Sequence, residues 1–176
     1  MAEAVPPGSD RLVFLPWLSG ERAPVLDHYA RGAFVGLSLG HTKAHLARAV
    51  MEGVGYHIRW MLEALEEIGL KIDSLNAIGG GCTSRLWTQL ISDICGRELR
   101  VTERPLEAGA IGAALSVAVG MGVYESMQAV DGLIGIGRTV QPTDDGRRAR
   151  YDGLYGEYRT LYEALAPVYR RMHRIS

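Results

Sequence analysis

Leu46, Ala49, Val50, Gly53, Val54, His57, Ile58, Met61, Leu62 and Leu65 recur at three- and four-residue steps. That period predicts one long amphipathic helix from Thr42 to Ile68. Thr42 can cap its start, and Gly69 is a suitable stop. Gly53 and Gly55 fall inside it. Each costs up to about 1 kcal/mol relative to Ala, so another backbone is expected to pack closely there. A second amphipathic pattern predicts a helix over Arg147–His173. Between these lie shorter segments. Leu75–Ile78 and Leu99–Val101 read as strands, and Thr83–Cys95 and Ala108–Val119 as helices. Leu12–Leu15 is a short apolar run that Pro16 confines to a sheet edge. Ala33–Leu37 reads as a strand and Ser19–Arg31 as a long structured loop. Tyr124–Val130 reads as a helix, and Asp131–Gly146, with Pro142 inside it, as loop. Residues 1–11 carry prolines and a glycine and read as a flexible lead-in. Strands separated by helices imply a mostly parallel sheet with helices packed on it.

The 176 residues suffice for one sizeable core, and 47% hydrophobic with 22% charged residues is a globular composition. A formal net charge of -1 provides no global field for nucleic acid or an anionic membrane. No apolar run is long enough to span a bilayer. The first residues lack the basic-then-apolar order of a secretory signal. Cys82 and Cys95 are the only cysteines. A reduced, cytoplasmic protein is the expectation, with a single disulfide left open.

The candidate chemistry centres on Ile78-Gly79-Gly80-Gly81-Cys82-Thr83-Ser84. Three glycines between a strand and a helix can let a ligand approach their amides. The helix start beyond them suits a phosphate. The run is neither GxGxxG nor GxxxxGK[ST], and a tight turn without a ligand is the alternative. His41 and His45 share one helix face, but a zinc site would need a third ligand. His57 falls on the apolar face and reads as a core or interdomain histidine. Trp17, Trp60 and Trp87 read as packing residues. Asp93 and Glu52 read as structural hydrogen-bonding partners. Glu21, Arg22, Asp27 and Arg31 read as a charge set that stabilises the long loop. Arg170, Arg171 and Arg174 suit a solvated helix end.

Taken in order, the motifs resemble the C-terminal domain of the FGGY family of carbohydrate kinases, and most nearly its xylulokinase-like members. Leu18-Ser19-Gly20-Glu21-Arg22-Ala23-Pro24, Asp27 and Ala30-Arg31-Gly32 resemble that family's GERxP…D…ARG loop. Gly32-x-Phe34-x-Gly36-Leu37, followed after seven residues by His45-Leu46-x-x-Ala49-Val50-Met51-Glu52, resembles its second signature. Gly79-Gly80-Gly81 with Ser84, Trp87, Gln89 and Asp93, then Ala110-Ile111-Gly112-Ala113-Ala114, resembles its nucleotide-binding strand and helices. The likeness runs from about Leu12 to Gln141.

The resemblance implies an α/β fold of ribonuclease H-like (actin/hexokinase-type ATPase) class. Its mixed sheet would be flanked by helices and lack its first hairpin. Residues 12–176 would form the nucleotide-binding domain, with an N-terminal sugar-binding and catalytic domain absent. ATP with Mg2+ is the implied cofactor. Gly79 would shape the turn, Gly80 and Gly81 would approach the adenosine and α-phosphate, and Ser84 would touch the nucleotide. Ala110–Ala114 would form a small-residue wall beside it. The family's DxG(T/S) phosphate motif and catalytic aspartate have no counterpart here, so no catalytic residue is expected in this chain. The resemblance thus implies the last third to half of a sugar kinase, inactive alone. Its substrate would be D-xylulose, with a gluconokinase-like sugar as the alternative. A non-catalytic interaction module is the reading of another class. An uncovered strand at Ala33–Leu37 is expected to drive homo-oligomerisation or to be covered by Leu12–Leu15.

Overall fold

The apolar face that starts at Leu46 forms a helix of 25 residues, α1, Lys43–Glu67. Thr42 caps it in extended conformation, and Ile68 and Gly69 end it. The computed structural model describes residues 1–175. They divide into two compact units.

The first unit comprises Met1–Ile72, Asp93–Gly96 and the chain from Thr143 onward. Strand β1, Val13–Leu15, pairs antiparallel with β2, Ala33–Val35, with Phe14 opposite Phe34. The Leu12–Leu15 segment therefore covers one edge of β2. Leu46, Ala49 and Val50 of α1 pack on Leu12 and Phe14. The two helical glycines have a packing reason. A Cβ on Gly53 would overlap the Phe14 carbonyl oxygen, and one on Gly55 would lie 2.7 Å from Cδ1 of Ile94. The last helix, Arg147–His173, matches its expected bounds. Its Tyr151, Tyr155 and Tyr158 stand within 6.4 Å of the Tyr56 ring, centroid to centroid. Trp17 lies 6.4 Å from Trp60 and 5.2 Å from Tyr162, so both tryptophans pack in this unit.

The lead-in is not loose. Val5 and Ser9 are buried, and residues Ala2–Ala4 and Ser9–Arg11 form short 3-10 turns. The Glu52 carboxylate accepts the Gly8 N–H at 2.9 Å and the Ser9 hydroxyl at 2.8 Å. It also pairs with Arg48 Nε at 2.7 Å. Arg48 Nη1 donates to the Val5 carbonyl at 3.2 Å and Nη2 to the Tyr151 hydroxyl at 2.9 Å. Composition alone suggests flexibility here; a buried carboxylate far along the chain supplies the order.

The second unit comprises Asp73–Ser92 and Arg97–Pro142. Strand β3, Ser74–Ala77, runs parallel to β4, Glu98–Thr102. The next strand, β5, Ile136–Val140, pairs antiparallel with β4 and completes a mixed sheet of order β3-β4-β5. This corrects the expectation of loop over Asp131–Gly146 and of a mostly parallel sheet. Only Val140 of β5 is buried, so no apolar alternation marks the strand. Its Gly137 lies where a Cβ would come 2.9 Å from the Glu103 backbone, so the glycine serves a close approach. Helix α2, Arg85–Cys95, follows the glycine run, and α3, Ala108–Gly120, follows β4. The expected helix at Tyr124–Val130 is instead a 3-10 turn at Met127–Ala129 leading into α4, Val130–Leu133. The final helix, Arg147–His173, is α5. Cys82, Leu99, Val101 and Val140 form the core of this unit, with Leu75, Ala77 and Ile91 around them.

Gly53→Ala tests the first unit. Helix propensity alone favours Ala by about 1 kcal/mol. The Phe14 carbonyl leaves no room for a methyl group. We expect a net loss of about 1–3 kcal/mol from overpacking, read as a lower urea midpoint.

Candidate functional site

The glycine run crosses from β3 to α2 within the second unit. Ile78 leaves the strand, and Gly79 turns the chain with φ +90° and ψ 180°, a conformation that L-residues rarely adopt. Its N–H donates to the Pro105 carbonyl at 2.7 Å. Gly80–Thr83 form one 3-10 turn. The N–H groups that open such a turn have no partner within it. The Cys82 N–H donates to the Gly79 carbonyl at 3.1 Å, and the Thr83 hydroxyl to the Gly80 carbonyl at 2.8 Å. Nothing lies within 4 Å of a Cβ at Gly79, and only Leu106 Cδ2, at 3.9 Å, approaches one at Gly80. Gly81 is different: a Cβ there would stand 3.1 Å from Cζ3 of Trp87. Two glycines thus face open space, and at the third an indole stands where a side chain would be.

Ser84 caps α2, its hydroxyl oxygen accepting the Trp87 N–H at 3.2 Å. The hydroxyl proton is still available to a ligand. Cys82 is buried, and desolvation pushes its thiol above the usual value, against the opposing charge of Arg138. The thiol donates to the Ile78 carbonyl at 3.2 Å, so it braces the loop as a protonated group. Arg138 Nη2 donates to the Cys82 carbonyl at 3.2 Å. Sequence reasoning missed Arg138, because the contact spans 56 positions and β5 carries no apolar pattern. On α3, only Ala108 and Leu115 are buried, and nothing lies within 4 Å of a Cβ at Gly109 or Gly112.

The other candidates serve the first unit. Asp27 is buried, and its carboxylate accepts the N–H groups of Tyr29 and Ala30 at 2.9 and 3.2 Å. Glu21 accepts those of Arg22 and Ala23. Arg31 donates to the carbonyls of His28 and Ala30. Asp93 accepts the Thr143 N–H at 2.7 Å and pairs with Arg147 at 3.1 Å, the structural role its pattern suggests. His41 and His45 cap local turns. His45 Nδ1 lies 3.1 Å from the Thr42 N–H, and His41 Nδ1 lies 2.9 Å from that of Ser38.

His57 is held on both ring nitrogens. Nε2 lies 3.0 Å from Glu21 Oε2, while Nδ1 faces Trp17 Nε1 at 3.4 Å and the Tyr158 hydroxyl at 3.3 Å. Burial depresses its pKa below the usual 6.5, and the Glu21 charge only partly offsets this. The ring is then neutral near pH 7, with Nε2–H donating to Glu21.

A family model described as the C-terminal domain of the FGGY family of carbohydrate kinases matches residues 1–121. The chain belongs to that family. A xylulose kinase of Staphylococcus epidermidis is 35% identical over 159 residues, covering 90% of this chain and 31% of that protein. A gluconokinase of Bacillus subtilis is 35% identical over 176 residues, covering 99% of this chain and 32% of its own length. Among solved structures, ligand-bound xylulose kinase from Lactobacillus acidophilus superposes with a TM-score of 0.83 at 30% identity. Gluconate kinase from the same organism gives 0.82 at 30% identity. Each covers 97% of this chain and 34% of the solved chain. The chain thus spans about a third of the length of these relatives. The ribonuclease H-like α/β class expected from the motifs, with a mixed sheet flanked by helices, is the class found.

His57 makes stability depend on pH. Its folded pKa lies below 6.5, so on acidification the unfolded chain takes up this proton first. Stability falls as pH drops through 6.5 and stops falling, for this group, below the folded pKa. We expect His57→Gln to lose less stability than wild type between about pH 7.5 and pH 5.5, measured as the shift in urea midpoint.

Proposed function

We propose that this chain is the nucleotide-holding part of an ATP-dependent sugar kinase. The observation that carries the reading is the open face of Gly79 and Gly80 at the β3–α2 junction, in a chain of this family. Gly80 and Gly81 approach the adenosine and α-phosphate, and the Ser84 hydroxyl donates to the nucleotide. Gly79 sets the turn that aims the amides outward, and Ala110–Ala114 of α3 form the neighbouring wall. A Cβ at Gly79 or Gly80 would project into this open space, which a phosphate or ribose approaching the amides would need.

The whole enzyme moves the γ-phosphate of Mg-ATP to a sugar hydroxyl, for which D-xylulose is our first choice and a gluconate-type acceptor the second. Mg2+ bound with the nucleotide would supply neutralisation of the phosphate charge. Among the described residues, no three His, Cys, Asp or Glu side chains group to hold a metal. The metal is therefore assigned to the nucleotide's phosphates and to residues beyond this chain. A general base must reach the acceptor hydroxyl. Asp27, Glu52 and Asp93 are each buried and engaged in structural hydrogen bonds, so none of these three is proposed as that base. The chain alone is proposed to be inactive and cytoplasmic; among the described residues no helix is long and apolar enough to cross a membrane.

A second reading, an interaction module, draws on the apolar residues that α3 and its continuation expose. Val117, Met121, Val123 and Leu133 are 62%, 75%, 66% and 44% exposed. A patch of this kind suits burial against another polypeptide or a second copy. On this reading the chain self-associates, and a strictly monomeric state in light scattering would remove it.

Calorimetric titration with Mg-ADP, beside Gly80→Val, tests the leading proposal. Nothing but Leu106, at 3.9 Å, approaches a Cβ at Gly80, so the variant should fold normally. We expect weak binding by wild type, reduced at least about tenfold by the valine, and no phosphorylation of xylulose by either. Failure of the folded wild type to bind, or equal binding by the variant, would reduce the glycines to a turn.

A further inference from the structure

The glycine loop is fixed near both ends. Gly79 donates to Pro105, the Cys82 thiol to Ile78, and Arg138 to the Cys82 carbonyl. The height of Gly81 between these anchors is set differently. The three atoms nearest to where its Cβ would stand all belong to the Trp87 ring: Cζ3 at 3.1 Å, Cε3 at 3.2 Å and Cη2 at 3.8 Å. These atoms are on the six-membered ring, the part of the indole that a phenylalanine at the same place would lack. Distances of 3.1–3.2 Å are tighter than nearly all real Cβ contacts, so the ring occupies the space that a side chain at position 81 would need, and only glycine leaves it there without displacement.

The residue that carries the ring also meets the other proposed nucleotide contact, through its backbone. Trp87 sits in the first turn of α2, and its backbone N–H is the donor that Ser84 caps. A shift of the Trp87 backbone would thus move both the ring beside Gly81 and the partner of the Ser84 hydroxyl. The indole Nε1 is buried and has no hydrogen-bond partner among the described residues. A buried, unpaired donor is unfavourable, and an apolar ring would avoid that penalty. The nitrogen does not anchor the ring; what the indole gives over a smaller ring is reach to Gly81.

We infer that Trp87 is a positioning residue for the nucleotide site, the floor that holds the Gly81 amide at the height a phosphate or ribose requires. The inference rests on the reading that the Gly79–Ser84 loop holds the nucleotide. Trp87 acts only through Gly81 and Ser84.

The test uses the chain labelled with 5-fluorotryptophan, which gives three fluorine resonances, for Trp17, Trp60 and Trp87. Mg-ADP should shift the Trp87 resonance and leave those of Trp17 and Trp60 in place. This reading is made on the wild-type chain and needs no variant to fold, beyond assignment by Trp87→Phe. In calorimetry, Trp87→Phe should raise the Kd for Mg-ADP about fivefold or more. Gly81→Ala alone should also weaken binding, because its methyl meets the indole. In the Trp87→Phe background the methyl occupies the vacated space, so the two losses should not add. A merely structural tryptophan would lower the melting temperature without this coupling. Wild-type binding with an unmoved Trp87 resonance, or with an unchanged Kd in the variant, would overturn this inference alone. A wild type that fails to bind Mg-ADP would overturn the site reading and this inference with it.

Discussion

The first unit depends on one buried carboxylate. Glu52 is 1% exposed in the middle of α1, and it receives hydrogen bonds from Gly8, Ser9 and Arg48. A buried ion pair is weak evidence of net stability, because desolvation offsets much of the attraction. Its effect here is positional. Arg48 extends the pair to the Val5 carbonyl and to Tyr151 on α5. Burial pushes the Tyr151 phenol up to about 12, so it remains a neutral acceptor for the guanidinium. The chain bends through three consecutive left-handed residues, Ser9, Asp10 and Arg11, to meet this centre. Such backbone is strained, and it persists where surrounding bonds over-determine it.

With the lead-in tied down, β1 is delivered onto α1. The Phe14 carbonyl then sits over Gly53, one residue beyond Glu52. Charge and close packing are therefore consecutive on the same helix. The acid fixes where the chain arrives, and the glycine lets its backbone lie flat. The long loop that follows β1 is organised by the same means. Asp27 and Glu21 spend their oxygens on backbone N–H groups and on His57, and so shape the loop.

The second unit solves a different problem. On the proposed reading, its sheet ends in a loop that is open to a nucleotide yet fixed in shape. Gly79 and Gly80 supply the opening. Fixation comes from groups with no charge of their own in the opening: the Pro105 carbonyl, the Cys82 thiol, the Ser84 cap and the Trp87 ring. Arg138 is the one cation in the set, and it is turned to the Cys82 carbonyl. On the same reading, backbone N–H groups and the start of α2 are what the opening offers to an anionic group.

Much of this was legible in the sequence, for identifiable reasons. Helical periodicity located α1 and α5 because each has one wide buried face, and that signal needs no knowledge of the partner. The need for close packing at Gly53 and Gly55 followed from helix propensity. The three motifs located the family and the glycine loop because they are local in sequence. The structural roles of Glu52 and Asp93 were also legible as types, though their partners were not. β5 was hidden because one buried residue in five leaves no pattern; its ladder with β4 exists only by tertiary pairing. The order of residues 1–11 was hidden because it depends on Glu52, more than forty positions away. Arg138 and Trp87 acquire their relation to the loop only when strand and helix are set beside it. The sequence by itself determined the long helices, the strands β3 and β4 and the place of the glycine loop; tertiary structure decided β5 and which distant groups brace these elements, since ladder pairing, hydrogen bonds and ring contacts depend on distances that a linear pattern does not encode.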